Sequence, residues 1–386
     1  MGIPFIDLQA QRARISGDID HAVATVLSHG RFVLGPEVSE LETALSGFSG
    51  AQHTVSCANG TDALALPLMA WGVGPGDAVF CPSFTFTATA EVVPWVRASC
   101  VFVDIDERTY NIDPASLEAA IKAVLSEGKL KPRVIIAVDL FGQPADYPAL
   151  KKIADTYGLK LIADSAQGFG CTINGAHPIT WADAVTTSFF PAKPLGCYGD
   201  GGAIQTNDPQ LAEMLDSLRV HGKATDADME KANYSGHEAK YLNPRIGLNS
   251  RLDTIQAAIL LQKLKLFPEE ISLRQQVAER YNNGLSGHVI STPYVEPGYV
   301  STWAQYTIEV DERAEVQKKL GADGIPTAVY YPVPMHQQAP YQHFPKAPGG
   351  LPVTEEKAHT VMSLPMHPYL EQDTQDHIIG AVKAAI

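Results

Sequence analysis

The chain has no Cys-x-x-Cys pair and only five cysteines, at positions 57, 81, 100, 171 and 197. An odd, scattered set excludes a disulfide framework and a zinc finger, and it points to reduced, mostly buried thiols in a cytoplasmic protein. Basic residues are in deficit: 29 Lys and Arg stand against 43 Asp and Glu, a formal charge of −14. A general phosphate-backbone binder needs a basic face, so nucleic acid is disfavoured as a partner. A local pocket for a small anion is not. No apolar run approaches the roughly 20 residues of a membrane span. The opening MGIPFIDLQAQRARIS carries early charges and does not read as a signal peptide. No GxGxxG or P-loop pattern follows a strand, which leaves dinucleotide and P-loop readings without support. HExxH and spaced Cys/His clusters are missing too, so no metal site is expected.

What is present is a 386-residue chain that is 45% hydrophobic, enough for a sizeable core and two domains. Short apolar runs at 53–57, 78–81, 101–104, 133–138, 159–164, 184–189 and 202–206 read as strands. Helical spacing fills 37–49, 59–72, 114–126 and 146–157, with a distortion expected at Pro67. This alternation predicts a mainly parallel α/β sheet covered on both faces, with ligands at the carboxyl ends of its strands. Residues 222–245 are polar and read as a mobile loop or insertion. A long helix over about 251–283 follows. Strands are expected at 305–310 and 327–331, helices at 313–321 and 371–385, and Pro-rich loops at 332–352. The expected division is a large domain over 1–250, then the linking helix and a smaller C-terminal α+β domain over 251–386.

Four features carry chemistry. Asp164 ends a strand in ADSAQGFG, where a carboxylate faces the ligand edge of the sheet; it could bind a metal, act as a base, hold a protonated ring nitrogen, or simply cap a turn. Lys193 lies between Pro191 and Pro194 in SFFPAKPLGCYGDGG. A solvated loop lysine is the plain reading, but a desolvated one can form a Schiff base. Asn59-Gly60-Thr61 opens a helix, which suits either an ordinary N-cap or a phosphate at the positive end of the helix dipole. Arg251, in Asn249-Ser250-Arg251, could grip a carboxylate or phosphate bidentately. His336 and His367 read as surface or packing residues.

Taken together, FIDLQAQ (5–11), GRFVLGPEVSELE (30–42), NGTDALALPL (59–68), PSFTFTATAE (82–91), VFVDIDERTYNIDP (101–114), VDLFGQPADYPAL (138–150), ADSAQGFG (163–170), GLNSRLDTIQAAIL (247–260) and SLPMHP (363–368) resemble the DegT/StrS-type sugar aminotransferases of the fold-type I pyridoxal-phosphate (PLP) class over almost the whole chain. The resemblance implies a seven-stranded, mainly parallel sheet and a homodimer with shared active sites. Lys193 then matches the lysine bonded to PLP, and Asp164 the carboxylate paired with the pyridine nitrogen. Gln167 matches the glutamine near the cofactor 3′ oxygen, while Gly60, Thr61 and Ser188 match phosphate-binding positions. Phe86 matches the aromatic residue that stacks on the ring. Asn249 matches an asparagine reaching the phosphate from the partner subunit, and Arg251 an arginine reaching the substrate from there. Related proteins with histidine at the lysine position deoxygenate sugars instead, so Lys193 argues for transamination through pyridoxamine phosphate.

The string SFFPAKPLGCYGDGGA is similar to the subgroup that acts on UDP-2-acetamido-2-deoxy-3-oxo-D-glucuronate, with L-glutamate as donor, in bacterial surface polysaccharide synthesis. Pro194 departs from the asparagine that follows the lysine in enzymes for other 3-keto or 4-keto sugars. Tyr330, beside Tyr331 in GIPTAVYYP (324–332), stands where that subgroup has histidine, so it keeps a hydrogen-bonding tip but not a cation near neutral pH. Both tyrosines are expected at the substrate. The alternatives are an aminotransferase for another keto-sugar nucleotide, or a non-catalytic PLP-binding regulatory protein.

Overall fold

The computed structural model describes residues 2–232 and 241–386. Its centre is a seven-stranded sheet: β1 (His53–Cys57), β2 (Asp77–Pro82), β3 (Ser99–Val103), β4 (Lys131–Val138), β5 (Lys160–Asp164), β6 (Ala184–Ser188) and β7 (Gly202–Thr206). The spatial order is β1-β7-β6-β5-β4-β2-β3. Every neighbouring pair is parallel except the two made by β7, which runs against both β1 and β6. The apolar run of β4 is covered on both faces, with Ile135 and Ile136 fully buried. Each such side chain contributes about 1.5–3 kcal/mol through burial. The register sets Val138 beside Asp164 and Asp164 beside Thr186, so the carboxyl ends of β4, β5 and β6 share one rim.

The linking helix spans Thr254–Leu285. Its first half packs against Val38, Leu41 and Leu45 of helix Pro36–Ser49 through Ala257, Leu260 and Phe267. Its second half gives Val277, Ala278, Tyr281 and Leu285 to a separate apolar cluster. That cluster is built with strands Tyr306–Glu309 and Val361–Leu364 and helices Arg313–Ala322 and Gln372–Ala385.

Some expectations are corrected and others hold. The 327–331 segment is not a strand: only Ala328 makes a bridge, to Ser363. Pro326 and Pro332 bracket it and cannot donate to a ladder. Within 222–245, Asp226–Ala232 is helical, and 233–240 lie outside the described residues. Helix Gly60–Ala70 runs through Pro67 without a break: the proline gives up only its own donor toward the Ala63 carbonyl, and its carbonyl still accepts from the Trp71 amide at 3.0 Å. All five cysteines are buried and free. His336 and His367 are buried packing residues: His336 bonds Ser83 Oγ at 2.7 Å, and His367 packs near Arg274, which with burial holds its pKa down at about 4. Among the described residues no helix is long and apolar enough to cross a membrane.

Candidate active site

Asp164 closes β5 and is buried. Its Oδ2 accepts from Thr89 Oγ1 at 2.8 Å, and its Oδ1 from the Ala166 amide at 3.2 Å. Burial pushes the carboxyl above its ordinary pKa, while these bonds and the nearby Lys193 cation pull it down. Burial in turn lowers the Lys193 pKa, and Asp164 opposes that shift. The two groups therefore lie within electrostatic reach of each other, with Asp164 at the carboxyl end of its strand. Lys193 as a residue is half-buried, yet protein surrounds its amine closely enough for desolvation to dominate.

Behind Asp164 lies a second buried carboxylate. Asp139 accepts from Tyr147 Oη at 2.6 Å, from the Ala145 amide at 3.1 Å, and from Ser165 Oγ. Its pKa is pushed up to about 6, chiefly by burial. Gly168 presses on it so closely that a Cβ there would fall 2.2 Å from the Asp139 Cβ. Asp139 thus shapes the 164–171 turn without facing the cleft.

Gln167 is held by two contacts: its Oε1 accepts from the Phe141 amide at 2.7 Å, and its Nε2 donates to Tyr331 Oη at 3.1 Å. Burial and the Asp164 charge push Tyr331 well above the ordinary tyrosine pKa, so it is a neutral hydroxyl. Phe86, 54% exposed, stands at the start of helix Thr87–Trp95 with its ring centroid 6.3 Å from that of Tyr331. Tyr330 packs edge-on to Tyr331. Phe86 thus keeps a large exposed face beside Tyr331, whose hydroxyl meets Gln167 and feels the Asp164 charge.

Gly60 and Ser188 meet at the same rim. A Cβ on Gly60 would lie 2.6 Å from the Ser188 Cβ, so only glycine lets the helix start this close to the end of β6. Asn59 caps that helix by accepting from the Asp62 amide at 2.8 Å. The first-turn amides of Gly60 and Thr61 lie outside the helical ladder and point out of its positive end. A small dianion fits this cradle, and a planar ring with a basic nitrogen fits between Phe86 and Asp164. The donor set suits PLP.

Asn249 and Arg251 do not join this group within one chain. They line a cavity of about 430 Å³ with Val33, Ala58, Gly199, Asp200, Asp253 and Gln256. That cavity adjoins the Asn59 turn from the other side, where the Ala58 amide donates to Ser250 Oγ at 3.1 Å. Sequence reasoning did not single out Thr89 or Asp139, although both fall inside motifs quoted above, PSFTFTATAE and VDLFGQPADYPAL.

The family model for DegT/DnrJ/EryC1/StrS aminotransferases matches residues 13–383. The chain belongs to this aminotransferase family. It is 50% identical over 369 residues to the UDP-2-acetamido-2-deoxy-3-oxo-D-glucuronate aminotransferase of Pseudomonas aeruginosa, covering 96% of each chain. A DegT/DnrJ/EryC1/StrS aminotransferase from Brucella abortus superposes with a TM-score of 0.94 at 49% identity, covering 99% of both chains. NtdA from Bacillus subtilis, solved with bound pyridoxamine phosphate, superposes with a TM-score of 0.84 at 29% identity, covering 99% of this chain and 83% of that one. The family member described here is an enzyme, a PLP-dependent aminotransferase with the expected mainly parallel seven-stranded sheet.

Proposed function

We propose that this aminotransferase converts UDP-2-acetamido-2-deoxy-3-oxo-D-glucuronate to its 3-amino sugar with L-glutamate as donor. The observation that carries the reading is the buried Asp164 carboxylate within electrostatic reach of the desolvated Lys193 amine, in a chain 50% identical to an enzyme named for that substrate. When bound, PLP supplies the electron sink for a carbanion at the donor Cα. Lys193 would anchor the cofactor, and its amine, which burial disfavours as a cation, would take the proton at that Cα. Asp164 would pair with the ring nitrogen, with Thr89 orienting the carboxylate. Gln167 would hold the ring-oxygen side, Phe86 would cover the ring face, and Gly60, Thr61 and Ser188 would hold the phosphate. Tyr330 and Tyr331 offer neutral hydroxyls to the sugar. Asn249 and Arg251 serve the site of a second copy, Asn249 at the phosphate and Arg251 at a substrate carboxylate. Five buried, unpaired thiols suit the reducing cytoplasm, where nucleotide sugars are made.

The experiment is a reverse half-reaction on the PLP-loaded enzyme, with a panel of amino-sugar nucleotides. The 3-amino uronate should bleach the visible cofactor band with a kcat/KM roughly 10²-fold above the UDP 3-amino sugar that lacks the C6 carboxylate, because a site built for a carboxylate leaves its cation unpaired without one. Equal rates for the two would remove the uronate assignment. A 4-amino dTDP sugar reacting fastest would transfer the enzyme to another acceptor class.

The shared-site reading has its own test. Lys193→Ala and Asn249→Ala/Arg251→Ala chains, each inactive alone, should recover about one quarter of wild-type activity when mixed and allowed to exchange, since half of randomly paired dimers carry one intact site. Verified heterodimers with no activity would confine each site to one chain.

A further inference from the structure

The loop that carries Lys193 is held from beneath by the linking helix. Lys263, 1% exposed, donates from Nζ to the Gly196 carbonyl at 2.7 Å, and the same ammonium lies 4.3 Å from the centroid of the Tyr198 ring. Gln256, two turns earlier on the helix, accepts from the Tyr198 amide at 2.8 Å. Within the loop, the Lys193 amide bonds the Phe190 carbonyl at 2.9 Å and the Cys197 amide bonds the Phe189 carbonyl at 2.7 Å. Gly196 is packed so tightly that a Cβ would fall 2.5 Å from the Pro191 carbonyl oxygen. The anchor at Gly196 is therefore joined to Lys193 through a short segment stiffened by Pro194. A fully buried lysine is costly, and this one gives its hydrogen bond to a backbone carbonyl of the loop, not to a carboxylate.

We propose that Lys263 is a positioning residue for the amine of Lys193, its ammonium tying the loop to the linking helix between the Gly196 carbonyl and the Tyr198 ring. The inference rests on the reading of Lys193 as the cofactor-bound amine. Burial brings the Lys263 pKa down to about 8, against the pull of Glu270. From the loop it faces Cys197, whose thiol is pushed up to about 11 by burial, and Tyr198, pushed up by burial and influenced by Arg12 and Asp20. Asp200 acts on Cys197, and Glu270, on the same helix as Lys263, also accepts from Gln11 and Tyr369. As pH rises through about 8, Lys263 loses its proton while Cys197 keeps its own. The neutral amine still donates to Gly196 but no longer attracts the ring. An alkaline limb in kcat follows.

The test uses the PLP-loaded enzyme with Lys263→Met, Lys263→Arg and Tyr198→Leu. In Lys263→Met, borohydride should still fix the cofactor on Lys193, read by mass spectrometry. Its kcat should fall about 10-fold with KM for glutamate little changed, and the limb near pH 8 should vanish. Lys263→Arg stays charged, so it should recover most of kcat and carry the limb out of range. Tyr198→Leu keeps the buried lysine, and should move the limb about half a unit to lower pH by removing the ring's attraction for the cation. In the cofactor-free protein, amides over 189–201 should exchange with deuterium about 10-fold faster in Lys263→Met than in wild type, with β5 unchanged. Wild-type kcat, pH profile and loop exchange in Lys263→Met would overturn the inference. So would exchange that speeds up equally across the sheet, which marks general destabilisation. Should Lys263→Met not fold, an unmoved limb in both Lys263→Arg and Tyr198→Leu overturns it. Wild-type protein in which borohydride fixes nothing on Lys193 overturns the reading of the site, and this inference with it.

Discussion

Lys193→Ala should lose the visible absorbance of covalently held PLP and at least about 10⁴-fold in kcat, since it removes both the covalent anchor and the base. Removing an amine that burial already disfavours as a cation leaves the sheet core untouched. The melting temperature of the cofactor-free variant should therefore stay within a few degrees of wild type. Stopped-flow spectroscopy with L-glutamate makes the measurement. A variant retaining more than about 1% of wild-type turnover would place the base elsewhere. Loss of activity accompanied by collapse of the fold would show nothing about chemistry, so the melting curve is part of the result.

Asp164→Asn should keep the shape of the site and lose its charge. Thr89 Oγ1 can still bond the amide oxygen, so the turn from β5 is preserved. A carboxylate beside a cation shifts a pKa by about 1–3 units, so losing it should lower kcat by about 10- to 10³-fold while PLP still binds. Stability should move the other way. Burial raises the folded-state pKa of Asp164, so the unfolded chain releases its proton more readily than the folded one above the ordinary carboxylate range. The ionised group therefore subtracts from stability at neutral pH, and asparagine should leave the cofactor-free protein as stable as wild type or more so. Thermal melting at pH 7 and at pH 4 checks the sign: any gain should shrink at the lower pH. A variant with wild-type kcat would dismiss Asp164 as the partner of the ring nitrogen.

Asp164 and Lys193 are readable in the sequence because each follows a short strand whose apolar run marks where the sheet ends. The Gly60 cradle is readable for a related reason, since an Asn-Gly-Thr start announces the positive end of a helix. Thr89 is not readable that way. It lies 75 residues before the carboxylate it bonds, and only the packing of helix Thr87–Trp95 over the rim brings the two together. The same holds for Lys263, whose aliphatic stem looks like any helical lysine until the loop folds over it. The N-terminal helices Leu8–Arg14 and Ser16–His29 are not foreseen, and each buries little of itself: only Gln11 in the first and Ile19 and Val26 in the second. Ile15 and Ile19 find their partners far along the chain in the linking helix, in Ile259 with Ile255 and Leu266 beside it. In 327–331 the error runs the other way: β-branched and aromatic residues look like a strand, but flanking prolines deny it a ladder, and its tyrosines pack on each other, with Tyr331 reaching Gln167 instead.

One reversed strand settles where the amine can be. Had β7 run parallel to β6, the chain would have crossed behind the sheet to begin it, taking residues 189–201 away from the rim. Running antiparallel, β7 starts where β6 stops, with Gly202 paired to Ser188. Both feet of the Lys193 arm are thus bonded neighbours, and the arm is a closed arch standing on the sheet's edge. With both feet fixed on adjacent strands and its crown pinned at Gly196, the arch leaves the amine little room to wander, so its aim is set by the sheet's edge and not by the loop alone.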